Sequence, residues 1–271
     1  FKQKTAYEIS LGLVGSEMCI RDRINKQGSS EMKIVGIIPA RMGSSRYPGK
    51  PLGNLLGRPM IEHVYKRAAL CRLLDIVAVA TPDREIYDAT NSFGGTAIMT
   101  SSEHTRASDR VAEAAKHTGG DIVLNIQGDE PLIHPEMIEN AVKVVAEDPK
   151  VFCSNLISKI ESVEEFNDPN CIKVVRDNND FALYFSREPI PTTKYESGET
   201  TQPYKQVCVI PFWSHTLDKF LKLPPTKLEL AESIDMLRIL EHGYKVKLVE
   251  SLFPTHAIDV PSDIPLSLIH I

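Results

Sequence analysis

The sequence predicts an α/β protein with a doubly wound, mostly parallel sheet covered by helices on both faces. Apolar runs rich in β-branched residues alternate along the chain with segments that repeat apolar residues at helical spacing. Continuous apolar runs of this kind are typical of parallel strands buried on both faces. A length of 271 residues is enough for one such domain with a substantial core.

The first strand and the first helix lie on either side of a loop. The β-branched run over 34–38 predicts a buried strand that ends at Pro39. Apolar residues from Met60 to Ala68 recur at helical spacing and predict a helix. The segment between them must therefore emerge at the carboxyl end of the first strand.

The remaining elements continue the alternation. Further strands are predicted at 75–81, 96–99, 121–126 and 245–250. Further helices are predicted from about 84, at 108–116 with Ser108 as N-cap, and at 135–145, 214–222 and 228–242. Shorter β-like runs between 151 and 212 predict a small inserted β subregion within a single domain that spans 32–264.

Both ends of the chain lie outside this domain. Residues 1–31 lack the pattern of a signal peptide, and Met32 stands directly before the first strand. The stretches 10–22 and 265–271 look like translated adapter sequence. We expect 1–31 and 265–271 to be non-native additions, with a genuine N-terminal extension as the alternative.

Composition and charge narrow the function classes. The net charge of −5 argues against nucleic acid as a partner, and no apolar run is long enough to span a membrane. Five scattered cysteines without a Cys-x-x-Cys pair predict reduced thiols in a cytoplasmic protein. No His/Cys cluster has the spacing of a zinc site.

The loop after the first strand has the composition of a phosphate-binding loop. Besides two glycines it contains three cations and two hydroxyl side chains: Arg41, Ser44, Ser45, Arg46 and Lys50. A P-loop NTPase is excluded because Gly49-Lys50 is followed by Pro51 instead of a serine or threonine. The Gly-x-Gly-x-x-Gly dinucleotide motif is also absent. The plain alternative is a solvated basic turn.

Two acidic positions are expected at the same edge of the sheet. The segment Gln127-Gly128-Asp129-Glu130 follows the strand over 121–126, and Asp259 follows a strand-like segment at 257–259. Ligands of open α/β sheets bind at the carboxyl ends of the strands, and carboxylates suit Mg²⁺ that arrives with a nucleoside triphosphate. Asp129 as a turn residue and Asp259 as a helix-start residue are the alternatives.

Several motifs together carry a family resemblance. Arg41-x-x-Ser-Ser-Arg46-x-Pro-Gly-Lys50-Pro-Leu, followed by Gly57-Arg-Pro-Met-Ile61, resembles the signature of sugar-activating cytidylyltransferases. The segments 125–132, 182–187 and 257–263 extend the likeness to 3-deoxy-manno-octulosonate (KDO) cytidylyltransferases, from Met32 to about Asp263.

This resemblance implies a Rossmann-like nucleotidyltransferase fold and a Mg²⁺-dependent reaction. In that reaction CMP passes from CTP to an acidic sugar, pyrophosphate leaves, and the product serves lipopolysaccharide or surface polysaccharide synthesis. The resemblance also implies a homodimer, formed in part by 151–212.

The resemblance assigns roles to individual residues. Lys50, Asp129 and Arg46 are implied in catalysis, and Asp129 with Asp259 in metal binding. The implied nucleotide-binding residues are Arg41, Ser44, Ser45, Arg46, Lys50, Arg110 and Gln127. The implied sugar-binding residues are Gln127, Arg187, Gln206 and Glu232, with Arg187 meeting the carboxylate. For Arg110, a helix-surface cation is the alternative.

The sequence departs from the family pattern at the sugar end. Gln206 stands where a histidine is usual, Ile210 where a tyrosine is usual, and Met236 where a glutamine is common. An 8-amino-KDO or a nonulosonic acid is therefore the alternative acceptor, and a non-catalytic nucleotide or sugar sensor is the alternative from another class. A metal-dependent glycosyltransferase is disfavoured, because it would lack the Arg41–Lys50 loop motif.

Overall fold

The computed structural model describes residues 32–44, 47–192 and 201–265. Its strands are β1 (Ile34–Pro39), β2 (Asn54–Leu55), β3 (Arg58–Pro59), β4 (Ile76–Thr81), β5 (Ala97–Met99), β6 (Ile122–Ile126), β7 (Cys153–Lys159), β8 (Lys173–Arg176), β9 (Ala182–Ser186), β10 (Tyr204–Val207), β11 (Val209–Trp213) and β12 (Val246–Glu250). Its α-helices are α1 (Met60–Ala68), α2 (Arg84–Ser92), α3 (Ala107–Thr118), α4 (Pro135–Glu147), α5 (Val163–Asn167), α6 (Ser214–Lys222), α7 (Lys227–Glu232) and α8 (Asp235–Glu241). Short 3₁₀ helices cover Lys50–Leu52 and Pro261–Asp263.

One mixed sheet organises the molecule. Within the described residues it has ten strands, in the order β5-β4-β1-β6-β11-β7-β10-β8-β9, with β12 beside β7. The half formed by β5, β4, β1 and β6 is parallel, which confirms the predicted α/β fold. The strands of 151–212 do not form a separate sheet: β11 pairs antiparallel with β6, and the later strands continue outward from there.

The sheet separates two apolar clusters. In β1, Ile34 and Ile38 pack into the cluster formed with α1 and α4, whereas Val35 and Ile37 pack into the cluster formed with α3, α6 and α8. Alternate side chains of a strand point to opposite faces, so a strand covered on both sides must be apolar at every position. All six residues of β1 are buried accordingly.

Three local predictions were wrong. Helix α3 begins at Ala107 and not after a Ser108 cap, because the Ser108 hydroxyl donates to Asp235 Oδ2 at 2.9 Å. The helix predicted over 228–242 is divided into α7 and α8, because Ser233 adopts a left-handed conformation with φ 55°. Residues 257–259 form no strand, because the Ile258 N–H donates to the Asp129 carbonyl and the Asp259 N–H to the Asp263 side chain.

The structure describes four of the five cysteines. Cys71, Cys153, Cys171 and Cys208 are free thiols, and Cys19 lies outside the described residues. Burial raises the pKa of the Cys71 thiol to about 12, which makes it unreactive. In the described part of the chain, no helix has both the length and the apolar character needed to cross a membrane.

Candidate active site

A polar cleft opens at the carboxyl ends of β1 and β6. Its walls come from the loop after β1, the start of α3 and the turn after β6. The lining residues are Pro39, Ala40, Arg41, Ser44, Lys50, Pro51, Thr105, Arg106, Ala107, Arg110, Gln127, Gly128 and Asp129. The structure thus brings together most of the predicted nucleotide-binding residues, whereas Ser45 and Arg46 lie outside the described residues.

The loop after β1 is folded back on itself. The Met42 carbonyl accepts hydrogen bonds from the backbone N–H groups of Ser44 and Gly49, at 2.9 and 3.1 Å. Gly49 has φ 72°, which favours glycine, and it starts the 3₁₀ helix that carries Lys50. From the turn between β4 and α2, Asp83 Oδ2 accepts the Met42 N–H at 2.7 Å and fixes the loop to the end of β4.

Lys50 connects the acidic residues of the cleft. Its ammonium donates to Asp129 Oδ2 at 2.7 Å and to the Ile258 carbonyl at 2.9 Å, and lies 3.6 Å from Asp259 Oδ1. The Asp129 carbonyl accepts the Ile258 N–H at 3.0 Å, so the 257–259 segment is bound to the turn after β6. Asp263 Oδ2 accepts the Asp259 N–H at 2.8 Å, in place of a strand partner.

The donor set fits a hard divalent cation. Because one ammonium contacts both Asp129 and Asp259, their carboxylates are within reach of one shared cation. Among the described residues, no cluster of three His, Cys, Asp or Glu side chains could hold a metal alone. Mg²⁺ commonly takes one or two carboxylates and completes its shell with water and substrate phosphates. The pair is therefore compatible with a Mg²⁺ site that needs the nucleotide to be complete.

The turn after β6 is held against β1 and β11. A Cβ atom on Gly128 would lie 3.3 Å from both the Pro39 carbonyl and Ile61 Cδ1, so only glycine fits without displacing its neighbours. The Gln127 N–H donates to the Cys208 carbonyl at 3.0 Å. These contacts fix the position of Gln127 at the cleft floor.

Glu130 is a buried acid that sequence reasoning did not single out. Burial, followed by the negative charge of Asp129, raises the pKa of its carboxyl to about 8. The Lys205 ammonium and the Cys208 N–H act in the opposite direction. Both acids were present in the motif, but nothing in the sequence distinguished the half-buried carboxylate at 129 from the buried one at 130.

Arg110 is a buried cleft residue that holds the loop before α3. Only 3% exposed, it donates to Thr100 Oγ1 at 2.8 Å and to the Ser101 and His104 carbonyls at 3.2 Å each. Burial, with repulsion from Arg41, lowers the pKa of its guanidinium. Arg110 thus lines the cleft and also holds the loop before α3 in shape, and it is not a surface cation.

Arg106 also lines the cleft, and the sequence gave no indication of it. Its Nη1 lies 2.7 Å from Glu229 Oε1 and donates to Asp235 Oδ1. Glu229 is fully buried and is also bound by Arg238, at 2.8 and 2.5 Å. The partners of Arg106 follow it by more than 120 positions, so no local pattern could have revealed the cluster.

The predicted sugar-binding residues Arg187 and Glu232 form a separate pair near the break between α7 and α8. Glu232 accepts hydrogen bonds from the Arg187 N–H at 2.8 Å and from Ser186 Oγ at 3.0 Å. The Arg187 guanidinium donates to the carbonyls of Glu232 at 2.6 Å, Pro169 at 2.9 Å and Ser233 at 3.5 Å. Neither residue is among those that line the cleft in the described part of the chain.

The positions that depart from the family pattern lie in or next to the core. Gln206 Nε2 donates to Oδ1 of the fully buried Asn155 at 2.6 Å. Ile210 and Met236 are 4% and 2% exposed and pack in the same apolar cluster. Both aliphatic replacements therefore take part in core packing.

Comparison with known proteins gives consistent results. The sequence profile of the cytidylyltransferase family matches residues 35–249. The 3-deoxy-manno-octulosonate cytidylyltransferase of Geobacter sulfurreducens is 43% identical over 243 residues, covering 86% of this chain and 97% of that protein. The enzyme of the same name from Syntrophobacter fumaroxidans is 44% identical over 236 residues, covering 86% and 94%.

Solved structures show the same relationship. A CMP:2-keto-3-deoxy-manno-octonic acid synthetase complexed with CTP superposes with a TM-score of 0.80 at 37% identity, covering 88% of this chain and 97% of that one. A putative glucose-1-phosphate thymidylyltransferase from Bacillus anthracis superposes with a TM-score of 0.62 at 16% identity, covering 87% and 94%, which shows a shared fold only.

Proposed function

The chain belongs to the cytidylyltransferase family, and on that premise we propose that it transfers CMP from CTP to KDO or a close relative and releases pyrophosphate. The observation that carries the proposal is the cluster of Lys50 with Asp129 and Asp259 at the polar cleft. The product, a nucleotide-activated acidic sugar, would serve lipopolysaccharide or surface polysaccharide synthesis. KDO cytidylyltransferase is thus the proposed enzyme.

The basic residues of the cleft would bind the nucleotide. Arg41 and Lys50, with Arg46 of the same loop, would bind the triphosphate, and Ser44 and Ser45 would donate hydrogen bonds to it. As pyrophosphate departs, these cations would stabilise the charge that develops on it. Gln127, fixed at the cleft floor, would hydrogen-bond the α-phosphate or the sugar.

Asp129 and Asp259 would hold Mg²⁺. The bound ion would supply charge neutralisation at the α-phosphate and lower the pKa of the attacking hydroxyl. The protein's own contribution is position: Lys50 and the carboxylates orient the triphosphate so that a sugar hydroxyl can approach the α-phosphorus in line. The two carboxylates support this role, because Mg²⁺ commonly takes one or two carboxylates from the protein and fills its remaining positions with water and substrate phosphates.

The identity of the acceptor sugar is less closely defined than that of the nucleotide. KDO is the first candidate because the relatives with that name match along nearly their whole length. The aliphatic and amide side chains at Gln206, Ile210 and Met236 make an 8-amino-KDO or a nonulosonic acid the second candidate. A protein that binds CTP without turnover is the remaining alternative, and the retained Lys50 and Asp129 speak against it.

We also propose a cytoplasmic homodimer. The free thiols suit a reducing compartment, and CTP is consumed there. Strand β9 forms one edge of the sheet, and its Leu183 is 61% exposed, as suits an edge covered by a second copy. Sedimentation of the purified protein tests the dimer.

Pyrophosphate release tests the activity directly. The purified protein is incubated with CTP and KDO, with its 8-amino analogue, or with a nonulosonic acid, each with Mg²⁺ and with EDTA. The proposal expects release that requires both the acidic sugar and Mg²⁺. CTP binding without release from any acceptor would favour the non-catalytic alternative.

A further inference from the structure

The acceptor's carboxylate needs a cation, and Arg187 is poorly placed to be that cation. Its Nε, Nη1 and Nη2 already donate to the backbone carbonyls of Glu232, Pro169 and Ser233. A guanidinium used in this way fixes the break between two helices. To offer a carboxylate its Nε–Nη2 edge, Arg187 would have to give up the Nε hydrogen bond at 2.6 Å.

Arg106 has the opposite arrangement. Only its Nη1 is engaged, by Glu229 and Asp235, and within the described residues Nε and Nη2 have no protein partner. Its side chain is 23% exposed and lines the cleft together with Lys50, Gln127 and Asp129. The unused N–H groups are thus available to a group that enters the cleft.

The two carboxylates beside Arg106 orient it without consuming it. Glu229 is bound through both oxygens by Arg238, and the second oxygen of Asp235 accepts the Ser108 hydroxyl. Each acid therefore has a second partner besides Arg106. A guanidinium held at one nitrogen keeps a planar edge that can bind a carboxylate through two parallel hydrogen bonds.

This cluster is built from different elements than the triphosphate-binding loop. Glu229 belongs to α7 and Asp235 to α8. Arg187 binds the Glu232 carbonyl at the break between these two helices. Arg41 and Lys50 come from a different segment of the cleft lining, the loop after β1. Arg106 thus lines the cleft and is also paired with the two helices beside the predicted sugar residues.

We propose that Arg106 is the residue that binds the carboxylate of the acidic sugar, and so determines specificity for an acidic acceptor. This inference rests on the proposed function, because it concerns that reaction's acceptor. Arg187 is then a positioning residue for the α7–α8 break.

The experiment compares KDO with its neutral C1 carboxamide. The preference is the ratio of the two kcat/KM values, measured in wild type, Arg106→Met, Arg106→Lys and Arg187→Met. Arg176→Met is the matched control, because Arg176 is similarly exposed, at 28%, and is also paired with two carboxylates, Asp180 and Glu250, but does not line the cleft. Melting temperatures of all variants are recorded.

The wild type should prefer KDO by about 10- to 100-fold, and Arg106→Met should reduce the preference to within about threefold of unity, with the KM for CTP changed by less than about threefold. Arg106→Lys, which keeps the charge but not the planar edge, should retain an intermediate preference. A preference that survives in Arg106→Met, or that is lost in Arg187→Met instead, overturns the proposal.

Two further results are also decisive. A fall in melting temperature of Arg106→Met with an unchanged preference would show that Arg106 serves only the ion-pair cluster, against the proposal. If wild type releases no pyrophosphate from CTP with KDO or any other acidic acceptor, the proposed function fails, and the role of Arg106 falls with it. Active wild type with an unchanged preference in Arg106→Met refutes the role of Arg106 alone.

Discussion

Replacing Lys50 with methionine should strengthen metal binding to the nucleotide-free protein while it weakens catalysis. The Lys50 ammonium now lies between the two carboxylates, 2.7 Å from Asp129 and 3.6 Å from Asp259. Methionine keeps much of the length of the side chain and removes the ammonium, with its charge and its hydrogen bonds. A divalent cation would then enter the carboxylate pair without displacing an ammonium.

The distances set the size of the effect. The two carboxylate oxygens can be no farther apart than the two distances laid end to end, about 6 Å, so without Lys50 they repel each other by roughly 3 kcal/mol at an effective dielectric constant of about 20. The side chains are 15 to 22% exposed, and solvent reduces this value. A bound cation relieves the repulsion, so Mn²⁺ affinity should rise about 10- to 100-fold.

Two measurements check this prediction. Calorimetric titration with Mn²⁺ in the absence of nucleotide should give the tighter binding in Lys50→Met, and chemical unfolding in EDTA should show a loss of about 1–3 kcal/mol in stability. With CTP and KDO, kcat/KM should fall about 10²- to 10³-fold, because a charge-stabilising group at the triphosphate is lost.

Lys66→Met is the control. Lys66 Nζ is also paired with a carboxylate, Glu62 Oε1 at 2.6 Å, but the lysine is 48% exposed and is not part of the cleft. Its replacement should change neither metal affinity nor turnover. Mn²⁺ affinity that is unchanged or weaker in Lys50→Met would refute the reasoning, since it would mean that the two carboxylates do not share a cation.

Three other substitutions test the cleft and its surroundings. Asp129→Asn should abolish Mg²⁺-dependent turnover with the fold intact by circular dichroism; full activity with an unchanged Mg²⁺ titration would contradict the metal assignment. In EDTA, the free energy of unfolding of wild type should fall by up to a few kcal/mol as pH rises from about 4.5 to about 8, because buried Glu130 keeps a proton that the unfolded chain releases in that window, and Glu130→Gln should flatten the profile. An equally steep profile in the variant would show that another group is responsible. Gln206→His with Ile210→Tyr should lower the KM for KDO and leave the KM for CTP nearly unchanged, at some cost in melting temperature because position 210 is 96% buried; an unimproved KM would mean that these departures only repack the core.

The local sequence pattern predicted several strands and helices correctly. The β-branched run of β1 and the apolar spacing of α1 and α6 predict elements that the structure places within a residue or so of the expected positions. It was not sufficient where a distant contact decides the backbone. The helix predicted over 228–242 is broken because the Glu232 carbonyl accepts a hydrogen bond from Arg187, 45 positions earlier, and Ser233 turns out of the helix. Likewise, the position of β11 beside β6 is a pairing that neither strand's own sequence specifies.

Contacts between residues distant in sequence also determine the site, including which arginine is assigned to the acceptor. The strand pattern could bring Lys50 and Asp129 together, because β1 and β6 end at one edge of the sheet, whereas Asp259 was paired with Asp129 by the family resemblance and lies in a segment that forms no strand. The resemblance also selected Arg187, which lies in a recognisable motif, and passed over Arg106, which does not. The number of hydrogen-bond donors that remain for a ligand depends on partners distant in sequence, which are the helix-break carbonyls for Arg187 and the acids of α7 and α8 for Arg106. Arg106 keeps its whole Nε–Nη2 edge for a ligand, whereas the same edge of Arg187 is already bonded to the backbone carbonyls of the helix break, and this difference is the reason to test Arg106 first.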